Sequence, residues 1–285
     1  MPSTIDPRAP ASTGQAARIA PHVWRVVAPN PSALTGPGTN TYVVGDRTKV
    51  VIDPGPDHGE HLERVRAVAG GRIAQILCSH SHTDHSPGAA ALKKMTGAMV
   101  RGMPAPDDSF QDPTYAPDAS LTDGKRVEVD GVSLRALHTP GHASNHVCFL
   151  IEETGMLFTG DHLMSGSTVV ILPPDGSMRL YLESLRHLLT LPVDSLAPGH
   201  GAVIPDAKAD IERVIAHRLK RENKLVAALQ AHGAATLDDV LAEVYDDTPV
   251  HLHRLAKYSL RAHAIKLDEE GRASRQGETW TWLGP

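Results

Sequence analysis

The sequence predicts a mixed α/β fold followed by a smaller helical tail, and three observations carry that prediction. Short apolar runs of strand length alternate with stretches whose apolar residues recur at helical spacing. Several of the runs are joined by tight turns of hairpin type. Beyond Gly201 a long helix is followed by helix, helix and hairpin, the order of a winged helix.

Taken in order, residues 1–20 are rich in Pro, Ser, Thr and Ala and lack the apolar centre of a signal peptide. They read as a flexible leader, with cytoplasm as the default compartment. Residues 23–27 form a strand and 30–40 a loop. Residues 41–44 and 50–53 form a hairpin around Gly45-Asp46-Arg47, closed by Asp53-Pro54-Gly55. Leu62, Val65 and Val68 mark a helix over 59–69. A strand at 73–78 leads through a loop to a helix at 87–95, with Ser86 as its N-cap and Pro87 at its first position. Residues 103–122 lack periodicity and read as a surface loop. Residues 126–129 and 132–137, joined by Asp130-Gly131, form a hairpin. Residues 147–151 and 156–158 form another, and 178–189 form a helix. In the tail, 206–231 is one long helix ended by Gly233. Thr236 caps a helix over 237–245. Thr248 or Pro249 opens another that runs to Glu270, and strands at 272–276 and 279–283 flank Gly277. The expected division is a leader (1–20), a catalytic domain (21–205) and a tail of long helix and winged-helix-like unit (206–285).

The 285 residues fit one large domain, or a large and a small one. At 41% hydrophobic and 21% charged the composition is that of a soluble globular protein, and with 4% aromatics the core must be aliphatic. The net charge of −5 gives no global attraction to nucleic acid or acidic membranes, although a local basic face stays open. No run is long enough to span a membrane. Cys78 and Cys148 lie in apolar strand-like runs and read as buried reduced thiols.

The chemistry concentrates in His80-Ser81-His82-Thr83-Asp84-His85. Four metal-binding side chains within six residues sit on a strand-to-helix loop, where turns can aim them at one point. One histidine there would read as a solvated polar residue. Three with an Asp do not. Further along, His142 follows Thr139-Pro140-Gly141, Asp161 follows Thr159-Gly160, and His200 lies in Pro198-Gly199-His200-Gly201. Each ends a strand-like run beside a Gly, which lets backbone approach a crowded site closely. Imidazole and carboxylate are the ligands zinc takes in catalytic sites.

This ordered set resembles the metallo-β-lactamase-fold hydrolase superfamily. With the tail, and with Thr39-Asn40-Thr41-Tyr42 and Tyr258, it is most similar to the β-lactamase-like-protein-2 family, from about Val23 to the C-terminus. The resemblance implies an αββα sandwich of the metallo-β-lactamase type with a C-terminal winged-helix-like domain. It implies two zinc ions, one on His80, His82 and His142 and one on Asp84, His85 and His200, bridged by Asp161. Iron and manganese stay open as alternatives. A metal-bridging hydroxide would be the nucleophile, with Asp84 and Asp161 as the catalytic carboxylates. The loop with Asn40 and Thr41 would lie beside the metals and contact substrate, a plain hairpin-entry turn being the equal alternative. Tyr181 is a candidate donor to the oxyanion, with ordinary packing the stronger reading. His146 and His162, beside ligand motifs, read first as structural histidines. Asp53 is placed to orient a ligand histidine.

Three functions compete. The first is a hydrolase of a small thioester, ester or lactone. The second is an endoribonuclease acting on single-stranded RNA, which the basic stretch Arg254, Lys257, Arg261 and Lys266 supports and the missing RNA motif opposes. The third, a non-enzymatic nucleic-acid-binding protein, leaves a complete ligand set unexplained. A weak β-lactamase activity is a minor fourth reading. The tail could equally pack against the core or pair two copies into a homodimer.

Overall fold

The structure, a computed structural model, describes residues 12–284. Residues 1–11 of the expected leader lie outside it, but the leader's end is ordered as strand β1 (Ala16–Ala20), because Ala17 and Ile19 are buried against its neighbour. The first sheet runs in the order β1, β2 (Val23–Val27), β3 (Asn40–Val44), β4 (Thr48–Ile52), β5 (Arg72–Leu77), β6 (Met99–Gly102) and β7 (Ala119–Ser120). The first four strands are antiparallel, and β4 to β7 are parallel to one another. The second sheet holds β8 (Arg126–Val129), β9 (Val132–His138), β10 (Val147–Ile151), β11 (Met156–Gly160) and β12 (Ser195–Pro198). Its β11–β12 pair is parallel and the rest antiparallel.

The two sheets face each other across an aliphatic core with few rings. Val50, Ile52 and Leu77 from the first meet Leu134, Phe149 and Phe158 from the second. Alternate residues of the same strands point outward and are covered by helices. Val43, Val51 and Ile76 lie under α1 (Gly59–Ala69) and α2 (Gly88–Thr96). Leu137, Leu150 and Leu157 lie under α3 (Met178–Leu188) and the first turns of α4 (Ala207–His232). Strands buried on both faces read as unbroken apolar runs such as Val147–Ile151. The layers are therefore helix, sheet, sheet, helix.

In the tail, α4 packs with α5 (Leu237–Val244), α6 (His253–Glu269) and a sheet of β13 (Ala234–Thr236), β15 (Thr279–Trp282) and β14 (Ala273–Gln276) around Leu229, Val240, Leu260 and Trp280. Thr236 and Asp239 form a capping box at α5. A short 3-10 turn, Val250–Leu252, precedes α6, so the expected single helix from Thr248 or Pro249 is divided. Among the described residues, no helix is long and apolar enough to cross a membrane.

Two local expectations are corrected. Ser86 does not cap α2: its hydroxyl donates to Asp112 Oδ2 at 2.9 Å, and the helix begins one residue later behind Pro87. Residues 103–122 are not simply a surface loop. They contain β7 and the buried pair Gln111 and Asp112, which tie to the histidine-rich loop.

Candidate metal centre

The seven expected ligands all lie just beyond strand ends at one edge of the sandwich. The β5–α2 loop carries His80, His82, Asp84 and His85. His142 follows β9, Asp161 follows β11 and His200 follows β12. Two glycines make the convergence sterically feasible. A Cβ on Gly160, whose φ is +45°, would lie 2.5 Å from Ser79 Oγ, and one on Gly199 would lie 2.7 Å from His85 Cε1.

Four of the expected ligands are aimed by a second contact. Asp53, held at a left-handed φ of 49°, accepts from the Ser79 N–H and hydroxyl, both at 2.7 Å, and from His85 Nδ1 at 3.0 Å. His142 Nδ1 donates to the Val170 carbonyl at 2.8 Å, and His200 Nδ1 to the Gly38 carbonyl at 3.3 Å. A carbonyl can only accept, so these two rings carry their proton on Nδ1 and turn Nε2 inward. The Asp161 N–H donates to His146 Nε2 at 3.2 Å, and His146 is bonded in turn to the Thr139 hydroxyl at 2.9 Å.

The side chains form two groups: His80, His82 and His142, and Asp84, His85, Asp161 and His200. Within each group the ligating atoms lie within 4.8 Å of one another. His82 Nδ1 is 3.1 Å from His142 Nε2. Asp161 faces both groups. Its Oδ1 is 3.3 Å from His85 Nε2 and 3.2 Å from His200 Nε2, and its Oδ2 is 3.7 Å from His142 Nε2. Buried Nε2 atoms of His80, His85 and His200, and Oδ1 of Asp161, have no well-formed hydrogen bond. Leaving such atoms unpaired costs about 1–3 kcal/mol each, and cations shared among them would satisfy all four. The donor set therefore fits metal ions.

The charge balance points the same way. Burial, reinforced by the neighbouring histidines, pushes His80 well below its ordinary pKa and His82 to about 4, so both stay neutral with lone pairs free. Burial also opposes charge on His85 and His200. Asp84 and Asp161 nevertheless raise His85 well above its ordinary range, and Asp161 with Asp84 raises His200 to about 9. Against the burial that would neutralise it, Asp161 is kept well below the carboxylate range by His200 and His85. A buried carboxylate, Asp161, and a half-buried one, Asp84, demand positive charge here, which protons or metal ions can supply.

The expected substrate contacts are placed differently. Asn40 Nδ2 donates to the Pro198 and Gly201 carbonyls at 2.8 and 2.9 Å, so it ties β3 to the His200 loop. Thr41 Oγ1 is bonded to His61 Nε2 at 2.9 Å. The Tyr181 hydroxyl donates to the His162 carbonyl at 2.8 Å, and its ring is buried. All three side chains are spent on the fold beneath the site rather than lining its opening. His146 supports Asp161, while His162 is fully buried and burial pushes its pKa to about 3. Sequence reasoning missed Gln111, Asp112 and Asn145. Ser81 Oγ donates to Gln111 Oε1 at 2.5 Å and accepts from Asn145 Nδ2 at 2.7 Å, which braces the loop from outside.

Residues 34–200 match the metallo-beta-lactamase superfamily model, and residues 236–281 match the beta-lactamase associated winged helix domain. A beta-lactamase-like protein 2 homolog of Drosophila melanogaster is 32% identical over 90% of this chain and 90% of its own. An atrochrysone carboxyl ACP thioesterase of Aspergillus chevalieri is 34% identical over 84% of this chain and 78% of its own. The chain spans between 65% and 91% of the lengths of the relatives compared. The crystal structure of a metallo-beta-lactamase family protein from Thermus thermophilus superposes with a TM-score of 0.77 at 24% identity, over 93% of this chain and 99% of that one, and shows the shared fold. The family models, the relatives and the two His/Asp groups agree: the chain belongs to the metallo-beta-lactamase superfamily, as a metal-dependent hydrolase followed by a beta-lactamase-associated winged helix domain.

Proposed function

We propose that this chain is a binuclear zinc-dependent hydrolase of thioester, ester or lactone bonds in small carboxylic-acid derivatives. The observation that carries the reading is Asp161, one oxygen of which faces His85 and His200 while the other faces His142. Zinc held in the two groups would bring the pKa of water to about 7 and polarise a substrate carbonyl oxygen. The donor set, five imidazoles and two carboxylates, suits zinc over magnesium or calcium, with iron and manganese as competitors. The chain's own part is orientation and charge. Asp161 offsets the repulsion of two cations from a buried position fixed by His146. Asp84 is the more exposed carboxylate, with 28% of its side chain open. Burial would neutralise it, but His85 and His200 hold it ionised. It is therefore a charged ligand carboxylate that still reaches solvent. The thioesterase-named relative supports a thioester among the three bond types.

A second reading, cleavage of single-stranded RNA, has one observation in its favour. A cavity of about 430 Å³ in the tail is lined by Arg254, Lys257, Arg261, Arg275 and the exposed Tyr258. Among the described residues, Arg254 and Arg261 make no ion pair, whereas Lys257 and Arg275 are matched by Asp238 and Glu278. One paired assay separates the readings. Protein of measured metal content is given a thioester and lactone panel and, separately, a labelled single-stranded RNA, with His82→Ala as the control for contaminating nuclease. Turnover of a thioester or lactone, lost in His82→Ala, is expected. RNA cleavage alone, lost in the same variant, would replace the first reading with the second.

A further inference from the structure

We infer that the C-terminal helices position His142, with Ser259 and Arg218 as the positioning residues. The inference rests on reading His142 as a metal ligand. The chain between β11 and α3 passes directly behind the His142 ring, and three consecutive residues in it are gripped from three sides. The Val169 carbonyl accepts from Arg218 Nη2 of α4. The Val170 carbonyl accepts from His142 Nδ1 at 2.8 Å. The Ile171 N–H donates to Ser259 Oγ of α6 at 3.2 Å. Val169, Ile171, Arg218 and Ser259 are all buried, so water offers none of these groups a substitute partner.

Residues 161–177 contain no helix or strand, so no ladder fixes this backbone. Its position depends on the bonds just named together with the burial of Val169 and Ile171 in the cluster under α3. The carbonyl that accepts from a ligand histidine sets both the tautomer and the ring rotation, and such outer partners are worth about 10–100-fold in metal affinity. Here that carbonyl is pinned on one side by α4 and on the other by α6. Arg218 also lies over the Tyr181 ring, 5.3 Å from its centroid, and the Tyr181 hydroxyl holds the His162 carbonyl beside Asp161. One guanidinium from the tail therefore steadies backbone next to two of the seven ligands. Ordinary packing between tail and core also exists, through Ala262 in the cluster with Leu182 and Leu185. Packing alone would support stability, but it would not single out His142.

The test uses the full chain and three substitutions. Ser259→Ala removes the acceptor for the Ile171 N–H. Leu260→Ala alters the adjacent residue, which is fully buried in the tail's own core, and so reports general loosening of the tail. His142→Ala reports the ligand itself. Zinc bound per chain is measured across graded zinc buffers, together with kcat, KM and the unfolding midpoint. Ser259→Ala is expected to weaken one of two zinc equivalents by about 10-fold and to lower kcat with little change in KM. Leu260→Ala is expected to lower the unfolding midpoint with both zinc affinities unchanged. Unchanged zinc affinity in Ser259→Ala overturns the inference, as does an equal weakening in Leu260→Ala. If His142→Ala keeps both zinc equivalents, the ligand assignment itself fails. If it loses one while Ser259→Ala keeps both, only the positioning role fails.

Discussion

Asp161 is the residue on which most of the centre depends, because one of its oxygens faces His85 and His200 and the other faces His142. Replacing it with Ala removes one of the two negative charges, Asp84 being the other, that draw up the pKa of His85 and His200. We expect Asp161→Ala to keep its far-ultraviolet circular dichroism, to bind fewer than two metal ions, and to lose more than about a hundredfold in turnover, beyond what outer partners cost. Turnover retained in a metal-replete Asp161→Ala protein would remove the bridging role. Asp53 tests the layer behind. Its carboxylate accepts three hydrogen bonds from Ser79 and His85, and an amide in its place has one acceptor oxygen for them. Asp53→Asn should weaken metal binding by about 10–100-fold in chelator competition, while the unfolding midpoint of the metal-free protein moves little. Equal metal affinity in the two proteins would reduce Asp53 to a turn residue. The grouping of these five His and two Asp was readable because imidazole and carboxylate have few reasons to cluster at such spacing. For Asn40 and Thr41 the sequence left a substrate contact and a plain turn equal, and for Tyr181 packing was the stronger reading, because a hydroxyl or amide spent on a backbone carbonyl looks the same in sequence as one facing substrate.

The elements followed the sequence most closely where apolar periodicity was strong. The helix expected at 59–69 and the strands expected at 126–129 and 147–151 lie at those positions. Strand β6 was missed because Met99–Gly102 offers four residues with an Arg among them, too short a run to stand out. The stretch from Met103 to Thr122 was read as a surface loop and nothing more for a physical reason: its Pro and Asp are the composition of a solvated loop. Here Asp112 is used inward. It accepts from the Thr114 N–H at 2.8 Å, the Thr114 hydroxyl at 2.6 Å and the Ser86 hydroxyl at 2.9 Å. Its N–H donates to the Ser81 carbonyl at 2.7 Å. Asp112→Ala leaves the buried Ser86 hydroxyl without a charged acceptor, so it should destabilise the protein by about 2 kcal/mol. Urea unfolding of the metal-free protein measures this. A loss below about 0.5 kcal/mol, the usual size of a surface effect, would return the stretch to the status of a surface loop.

Taken together, the two sheets and their helices build the metal-binding edge, and the tail closes behind it. The tail is itself organised around a charge buried between α4, α6 and β14. Glu222 is 4% exposed and meets Lys266 at 2.9 Å, Arg272 at 3.1 Å and His263 at 3.4 Å. None of this was apparent in the sequence, where Glu222 stands among basic residues of a long helix and reads as one acid on a solvated face. Only the approach of α6, 41 to 44 residues onward, and of Arg272 before β14, 50 residues onward, makes it a buried ion. Burial pushes the Glu222 carboxyl up, but His263 and Lys266 outweigh that and hold it at about 2, below its ordinary value of 4.5. A depressed carboxyl pKa stabilises the fold above the ordinary value, and that contribution is lost as pH falls through the folded value. Glu222→Gln should therefore cost about 3 kcal/mol at pH 7, because Lys266 and Arg272 lose their buried partner and keep only the more exposed Glu270. Below pH 4.5 the gap between the two proteins should narrow, and near pH 2 it should almost close, since the wild-type carboxylate is then being protonated. Urea unfolding at pH 7, 5 and 3, followed by the tryptophan emission to which Trp280 and Trp282 of the tail contribute, measures the gap. A gap that stays constant across that range would mean that Glu222 contributes shape and hydrogen bonding to the tail, and that its charge does not stabilise it.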